Sequence, residues 1–351
     1  MSRVSIWLDI LTPKQALLLG TLSIRLNKHG FNTIVTTRSY DYTEAVLKNL
    51  GISFTSIGGY GEDRYEKLIK EIERMHELLN IVNNRFDLTI SYPNPLAARI
   101  AFGLGKPYIV LTDSPHSEIP SRLSLPLADY VVFSSCIPRE TIEAYVYKNK
   151  SKLIQYNGVD EVEWLKDLTP DTYYVRLWEL EPYSYAIVRP PEIKASYYRY
   201  SDAVELFRNI IKKLLENDLT IVYLPRYRED SVLKSIGHDK RIIIPEFEKG
   251  IVGHKLIYYA SIVVTGGASL AREAALLGTP GLSLFPEDLY VDKCLQEKML
   301  PLSRCKNIDE CLAIITSYLK EPERYKGYAL SLLKEFERPS DYVLKIVNEV
   351  A

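Results

Sequence analysis

The sequence predicts two α/β domains, each built on a parallel β-sheet with helices on both faces. Its 351 residues are enough for two domains that each bury a core. Short apolar runs rich in β-branched residues, beginning with RVSIWLDI at Arg3–Ile10, alternate with segments of helical periodicity. Such runs are typical of strands buried in a parallel sheet. The alternation loosens after Gly158 and resumes at Tyr185, which indicates two consecutive sets of strands.

The first domain is predicted over residues 1–165, completed by a helix at 340–351. Its first helix is predicted to start at Thr12-Pro13, since proline suits the first helical position. That helix carries Leu18, Leu22 and Leu26 on one face. The strands expected here are Arg3–Ile10, Phe31–Thr37, Ile52–Ile57, Asp87–Ser91, Pro107–Thr112 and Tyr130–Ser134, with further helices at Thr43–Leu50 and Pro95–Leu104.

The second domain is predicted over residues 180–336, after a hinge near 160–184. Ligands of doubly wound sheets bind outside the carboxyl ends of the strands. Two such domains facing each other across a cleft suit a ligand that bridges them, such as a nucleotide joined to a second group. The strands expected here are Tyr185–Val188, Leu219–Leu224, Arg241–Ile244, Ser261–Thr265 and Pro280–Phe285, and the helices Asp202–Glu216, Ile308–Leu319 and Pro322–Phe336.

Composition and charge exclude several classes of function. The 44 Lys and Arg residues nearly balance the 45 Asp and Glu residues, and the net charge of −1 gives no basic surface for nucleic acid. Four cysteines without a C-x-x-C pair make a structural zinc site or a disulfide scaffold unexpected and favour an intracellular protein. Asp9 and Lys14 interrupt the first apolar stretch, which does not resemble a signal peptide. We therefore expect a cytoplasmic protein without a nucleic-acid partner.

The most informative stretch is SIVVTGGASLAREAALLGTPGLSLFP, residues 261–286. A predicted buried strand ends at Gly266-Gly267, and a helix follows directly. Glycines at this point let the backbone approach a ligand, and the first helical N–H groups favour an anion. Ser269 can cap the helix or donate to a phosphate, and Glu273 can accept from vicinal hydroxyls such as those of ribose. The alternative is that Ser269 is only a cap and Glu273 only a solvated helix residue.

The segment TGGASLAREAALLGTP, Thr265–Pro280, resembles the donor-nucleotide signature of GT-B glycosyltransferases and of the related UDP-N-acetylglucosamine 2-epimerases. More broadly the chain resembles the mainly archaeal DUF354 group, through WLDILTP, TTRSY, IGGYG, TDSPH, RLSLPLAD and IVRPPEIKASYY. This resemblance implies a GT-B architecture of two Rossmann-like doubly wound domains. It also implies that nucleotide and diphosphate are held by Gly266, Gly267, Ala268, Ser269 and Glu273.

The segment TDSPH supplies the catalytic candidates, because it follows a predicted buried strand. Inverting sugar transfer needs a general base for the acceptor hydroxyl, and Asp113 or His116 is placed to serve. Alternatively, Asp113 only caps a helix. Glu118 is a weaker candidate. Family members typically carry Pro-Pro-His after the first strand, whereas this chain has Pro13-Lys14-Gln15, which argues against a base in that loop.

Arginines at predicted strand ends are candidates for binding anions. Arg189 and Arg226 each close a second-domain strand, where a guanidinium can clamp a diphosphate without a metal. A salt bridge at the domain interface is the alternative. No D-x-D motif stands at a strand end, so no metal is expected. The acceptor side of the first domain is expected to carry Thr12, Lys14, Arg38 and Gly61, although a structural turn is a simpler role for the glycine.

Together these features predict a metal-independent glycosyltransferase without a cofactor, which moves a sugar from a nucleoside diphosphate donor, such as a UDP-sugar, to an acceptor. The acceptor is left open between lipid-linked and polysaccharide molecules, and a lipid-linked one implies peripheral membrane contact. One alternative is an enzyme like the UDP-sugar 2-epimerases, which needs acid and base carboxylates in the first domain. Another is a non-catalytic subunit that binds a nucleotide sugar.

Overall fold

The computed structural model describes residues 3–61, 63–83, 85–191, 203–226, 230–246 and 248–350. The chain divides into two compact units. The first unit comprises Met1–Trp164 together with Phe336–Ala351, and the second comprises Leu165–Glu335. Each contains one parallel β-sheet with helices on its faces, which confirms the predicted α/β class.

The strands of the two sheets are all paired in parallel. Those of the first unit are β1 Ser5–Ile10, β2 Asn32–Thr37, β3 Thr55–Ser56, β4 Leu88–Ser91, β5 Tyr108–Thr112, β6 Tyr130–Ser134 and β7 Lys152–Tyr156. Those of the second unit are β8 Tyr185–Arg189, β9 Thr220–Tyr223, β10 Ile242–Ile243, β11 Ile262–Thr265, β12 Gly281–Ser283 and β13 Leu302–Arg304.

The helices that precede β8 are α1 Pro13–Lys28, α2 Thr43–Asn49, α3 Arg64–Val82, α4 Pro95–Gly103, α5 Glu118–Ser124, the 3₁₀ turn Leu125–Leu127, α6 Arg139–Glu143, α7 Val162–Leu165 and α8 Thr172–Arg176. Those that follow β8 are α9 Ala203–Glu216, α10 Ser231–Ile236, α11 Gly253–Ile257, α12 Ser269–Leu276, α13 Tyr290–Glu297, α14 Ile308–Tyr318, α15 Lys326–Glu335 and α16 Pro339–Val350. Among the described residues, no helix is long and apolar enough to cross a membrane.

The order of strands fixes where each sheet can bind a ligand. The first sheet runs β3-β2-β1-β4-β5-β6-β7 and the second β10-β9-β8-β11-β12-β13. In each, the chain first builds outward in one direction and then returns to the other side of its first strand. The order therefore reverses between β1 and β4 and between β8 and β11. In doubly wound sheets the crevice at such a reversal, beyond the carboxyl ends, is the preferred binding site.

Helix α1 forms where the sequence predicted it. The Thr12 hydroxyl accepts from the Gln15 backbone N–H at 3.4 Å, and Pro13 occupies the first turn. Leu18, Leu22 and Leu26 are all buried, as their spacing predicted. The C-terminal helix α16 packs against α1, β6 and β7, so the end of the chain belongs to the first unit.

Several elements differ from the prediction. Helix α3 was not predicted, because its sequence is rich in charged residues. Only three of its residues are buried, namely Arg74, Leu78 and Val82. Strand β7 was missed because it is a partly exposed edge strand that contains lysine and glutamine. A disulfide joins Cys305 to Cys311, whose Cα atoms lie 5.2 Å apart, although no C-x-x-C pair predicted one. Part of the predicted segment Ile187–Tyr198 lies outside the described residues.

Candidate functional sites

Polar side chains gather at the carboxyl edge of the first sheet, around a group we name the Lys14 cluster. Its members are Lys14, Tyr92, Asp113, Tyr156 and Asp160. The Lys14 Nζ contacts the Asp113 carboxylate and lies 2.8 Å from Asp160 Oδ2. The Tyr92 hydroxyl lies 3.2 Å from Lys14 Nζ and 3.1 Å from Asp160 Oδ2, and it also contacts Asp113. One ammonium group therefore bridges two carboxylates.

The Lys14 cluster is largely buried, and burial affects the protonation of its side chains. The side chains of Asp113 and Asp160 are almost wholly buried, whereas that of Lys14 is 17% exposed. Burial, together with the neighbouring aspartates, raises the pKa of Tyr92 and of Tyr156 well above the ordinary value, so both phenols stay protonated. Two buried carboxylates that share one ammonium give the cluster groups that can accept a proton from a substrate.

The elements explain why these residues meet. Lys14 stands in the first turn of α1, Tyr92 directly after β4 and Asp113 directly after β5. Tyr156 ends β7, and its hydroxyl donates to Asp160 Oδ1 at 2.6 Å. Sequence reasoning named Lys14 and Asp113 but in separate roles. It missed Tyr156 and Asp160 because β7 was not recognised. It also missed Tyr92, although a tyrosine directly after the predicted strand Asp87–Ser91 was a usable signal.

The other two catalytic candidates lie outside this cluster of five side chains. His116 is exposed, two residues beyond Ser114, whose hydroxyl donates to Asp113 Oδ1 at 2.5 Å. Glu118 is exposed at the start of α5 and pairs with Arg122 at 3.1 Å, one turn along the helix. Of the three predicted residues, Asp113 is thus the one built into a buried polar group.

Next to the cluster, Asp9 and Arg74 form a second buried pair. The guanidinium donates to both carboxylate oxygens at 2.6 and 2.9 Å. Thr36 and Asn94 donate to the same carboxylate at 2.6 and 2.8 Å. Burial alone would raise the pKa of Asp9, but the charge of Arg74 and these hydrogen bonds lower it overall. Each oxygen of Asp9 therefore has two donors, and this pair ties α3 to the sheet.

Two of the predicted acceptor-side residues, Thr12 and Gly61, have structural roles, whereas Arg38 is half-buried beside two aromatic rings. Thr12 caps α1. Gly61 is required for packing, because a Cβ there would lie 2.4 Å from the Lys67 nitrogen in the first turn of α3. This is a packing role, which differs from the structural turn expected for that glycine. Arg38 follows β2, and its guanidinium lies beside the rings of both Tyr40 and Tyr60, within cation–π distance of each.

The second unit presents the Gly-Gly turn at its own strand reversal, between β11 and α12. A Cβ on Gly266 would lie 2.4 Å from the backbone of Pro191, so only glycine fits. The Gly267 N–H donates to the Thr265 hydroxyl at 3.1 Å, and its carbonyl accepts from Ser283 at 3.0 Å. The turn is thus held on both sides in one conformation.

Helix α12 begins without a side-chain cap. Ala268 occupies the cap position and Ser269 the first helical position, so Ser269 is not the cap that the alternative interpretation made it. Glu273 is 5% exposed, which makes the alternative of a solvated helix residue wrong. The first N–H groups of the helix carry the positive end of its dipole, and such an end favours an anion.

Two arginines lie near this turn. Arg226 Nη2 is 3.2 Å from the position of a Cβ on Gly267, and its Nε donates to the Pro190 carbonyl at 3.1 Å. Arg189 ends β8, and its carbonyl accepts from the Gly266 N–H at 2.9 Å. Among the described residues, no group of three or more His, Cys, Asp or Glu is arranged to hold a metal ion.

Two doubly wound parallel sheets, one with a glycine turn and open helix end at its strand reversal, define a protein of the GT-B fold class. The profile of the family described as a protein of unknown function, DUF354, matches residues 4–351, and the chain belongs to that family. An uncharacterized protein of Methanocaldococcus jannaschii is 27% identical in an alignment over 306 residues, which covers 85% of this chain and 87% of the relative.

Solved structures of the same fold include enzymes of two kinds. The UDP-N-acetylglucosamine 2-epimerase of Rickettsia bellii superposes with a TM-score of 0.73 at 13% identity, covering 99% of this chain and 97% of its own. That of Methanocaldococcus jannaschii, in complex with UDP-GlcNAc and UDP, gives 0.71 at 14% identity over 99% and 100%. The spinosyn forosaminyltransferase SpnP gives 0.61 at 12% identity, with 99% and 100% covered.

Proposed function

We propose that the protein is a glycosyltransferase that moves a sugar from a nucleoside diphosphate donor, such as a UDP-sugar, to an acceptor hydroxyl. The observation that carries this proposal is the pair of polar sites at the strand reversals of the two units. The second unit has a turn suited to a diphosphate, and the first has a buried group suited to proton transfer. An enzyme of this class needs both functions.

In this proposal the second unit binds the donor. The N–H groups at the start of α12 and the Arg226 guanidinium face the diphosphate, and Glu273 accepts from the ribose hydroxyls. Charge develops on the diphosphate as the bond from its oxygen to the anomeric carbon breaks. Fixed N–H dipoles and a guanidinium stabilise that charge without rearrangement.

The Lys14 cluster serves as the base. The acceptor oxygen forms the new bond to the anomeric carbon, its proton passes to Asp113, and the diphosphate departs with the electron pair. Lys14 pairs with the Asp113 carboxylate, and the hydroxyl of the protonated Tyr92 donates to that carboxylate and orients it. Positioned general bases of this kind contribute about 10²–10⁴-fold to a rate.

Calorimetric titration with UDP tests the donor site directly. We expect heat of binding for the wild type and at least about tenfold weaker binding for Glu273→Gln, since a lost charged hydrogen bond is worth about 1.5–3 kcal/mol. The matched control is Glu297→Gln, an exposed glutamate of the same unit. No heat with UDP or any other nucleoside diphosphate for the wild type would remove the basis of the proposal.

A second candidate function is epimerization of a UDP-sugar, because the Lys14 cluster holds two carboxylates rather than one. Removal of a proton from the sugar ring and its return need groups of that kind. Incubation with UDP-N-acetylglucosamine alone separates the two functions. An epimerase forms a new UDP-sugar without an acceptor, whereas a transferase leaves the donor unchanged or slowly hydrolysed until an acceptor is added.

A further inference from the structure

Arg38 occupies an unusual position at the carboxyl edge of the first sheet. It follows β2 directly, and its guanidinium carbon lies 5.1 Å from the ring centre of Tyr40 and 4.9 Å from that of Tyr60. The two ring centres are 4.8 Å apart. Such contacts with two aromatic rings restrict the planar guanidinium to few orientations.

The hydrogen-bonding capacity of this guanidinium is largely unused. Among the described residues, its hydrogen bond is a long one, 3.4 Å from Nε to the Leu11 carbonyl. No described carboxylate pairs with it, in contrast to Arg74, which binds Asp9 through both terminal nitrogens. Burial, the largest cause, lowers the pKa of Arg38 from its ordinary value. Among the described residues its two terminal nitrogens have no acceptor, so they are available to a ligand that replaces solvent there.

A second cation lies beside the same ring. The Lys67 Nζ is 4.6 Å from the ring centre of Tyr60, and no described carboxylate forms an ion pair with it. The Leu11 carbonyl that accepts from Arg38 immediately precedes Thr12, the cap of α1. Arg38 therefore lies beside the helix that carries Lys14, on the same edge of the sheet as the Lys14 cluster.

We propose that Arg38, positioned by Tyr40 and Tyr60 and assisted by Lys67, binds a phosphate or carboxylate group of the acceptor, which is therefore an anionic molecule. The identification of the bound molecule as the acceptor rests on the proposed function, whereas the anion site itself is argued from the geometry alone. Two terminal nitrogens of a guanidinium match two oxygens of such a group, and the ion pair would satisfy the unused donors.

Titration with phosphate esters tests the site, with UDP present at saturation to occupy the second unit. The probes are glucose 6-phosphate, phenyl phosphate and octyl phosphate, which share the phosphate and differ in the attached group. The ester that binds with the highest affinity indicates whether the acceptor is sugar-like, aromatic or lipid-like. We expect Arg38→Met to weaken the binding of each bound ester at least about tenfold, because the variant loses the charged hydrogen bonds to the phosphate.

The control is Arg139→Met, an exposed arginine of the same unit, which should leave ester binding unchanged. The affinity for UDP should be the same in Arg38→Met and in the wild type. If the wild type does not bind UDP but does bind the esters, that result overturns the proposed function and leaves the anion site standing. Equal ester affinity in Arg38→Met and wild type, or no wild-type binding up to about 10 mM, overturns the inference. If Arg38→Met does not fold, Arg38→Lys replaces it in the test. Lysine keeps the positive charge but loses the planar guanidinium, so ester binding should weaken. Unchanged ester affinity in Arg38→Lys would then overturn the inference.

Discussion

The Lys14 ammonium lies 2.8 Å from the Asp160 carboxylate, although the two residues are 146 positions apart in the chain. Lys14 comes from the first turn of α1, and Asp160 follows β7 at the far end of the sheet order. Asp113, which follows β5, shares the same ammonium. The fold of the first unit thus brings three charged residues from distant segments of the chain together at one edge of the sheet.

Lys14→Met should abolish most of the activity and also destabilise the first unit. Removing the cation leaves two buried carboxylates without their partner, and breaking a buried pair in this way costs about 3–5 kcal/mol. Denaturant unfolding measures the loss of stability, and product formation measures the loss of activity. Lys28→Met, an exposed lysine of the same helix, is the control. Wild-type stability in Lys14→Met would show that the Lys14 ammonium does not stabilise the two buried carboxylates.

Asp9→Asn should lower the free energy of unfolding by about 3–5 kcal/mol, because the buried Arg74 would lose the carboxylate to which both of its terminal nitrogens donate. The matched control is Asp239→Asn, whose arginine partner lies on the surface and whose loss should leave stability unchanged. Chemical denaturation of both variants at neutral pH gives the comparison. Equal effects of the two substitutions would show that burial of the Asp9 pair contributes nothing.

The same carboxylate predicts how stability depends on pH. Because the pKa of Asp9 in the folded protein is lowered from its ordinary value of 3.8, its contribution is fully present above that value. It is lost as the pH falls through the lower pKa of the folded state, where the carboxyl takes up a proton. The difference in unfolding free energy between wild type and Asp9→Asn should therefore be constant above about pH 5 and shrink below pH 4. A difference that shrinks already between pH 7 and 5 would contradict the lowered pKa.

Gly266→Ala should destabilise the second unit by about 1–3 kcal/mol, because the new methyl group would meet the backbone of Pro191 and force it to move. The displaced turn should also bind UDP more weakly. Gly253→Ala is the control, since a Cβ there has open space around it. Thermal unfolding and UDP calorimetry on both variants provide the measurements. Unchanged stability in Gly266→Ala would mean that the close approach to Pro191 relaxes without cost.

Much of the fold and part of the sites could be predicted from local patterns. Apolar runs and helix-start signals identified most strands of both sheets, and the glycines at Gly266 and Gly267 were recognised as a turn before a helix. Helix α3 and strand β7 were not recognised, because neither has the apolar pattern that a buried element needs. Asp160 was missed along with β7.

By itself, the sequence determined which residues end strands and begin helices, because hydrophobic periodicity, proline and glycine act over a few neighbouring residues. It thereby placed Asp113, Arg38 and the Gly-Gly turn at carboxyl edges. Only the tertiary structure decided which of them meet. The pairing of Lys14 with Asp113 and Asp160 and the aromatic contacts of Arg38 depend on strand order and on packing between distant segments. Long-range packing of this kind leaves no periodic signal in the chain, so the pairing of charges had to be seen in the fold.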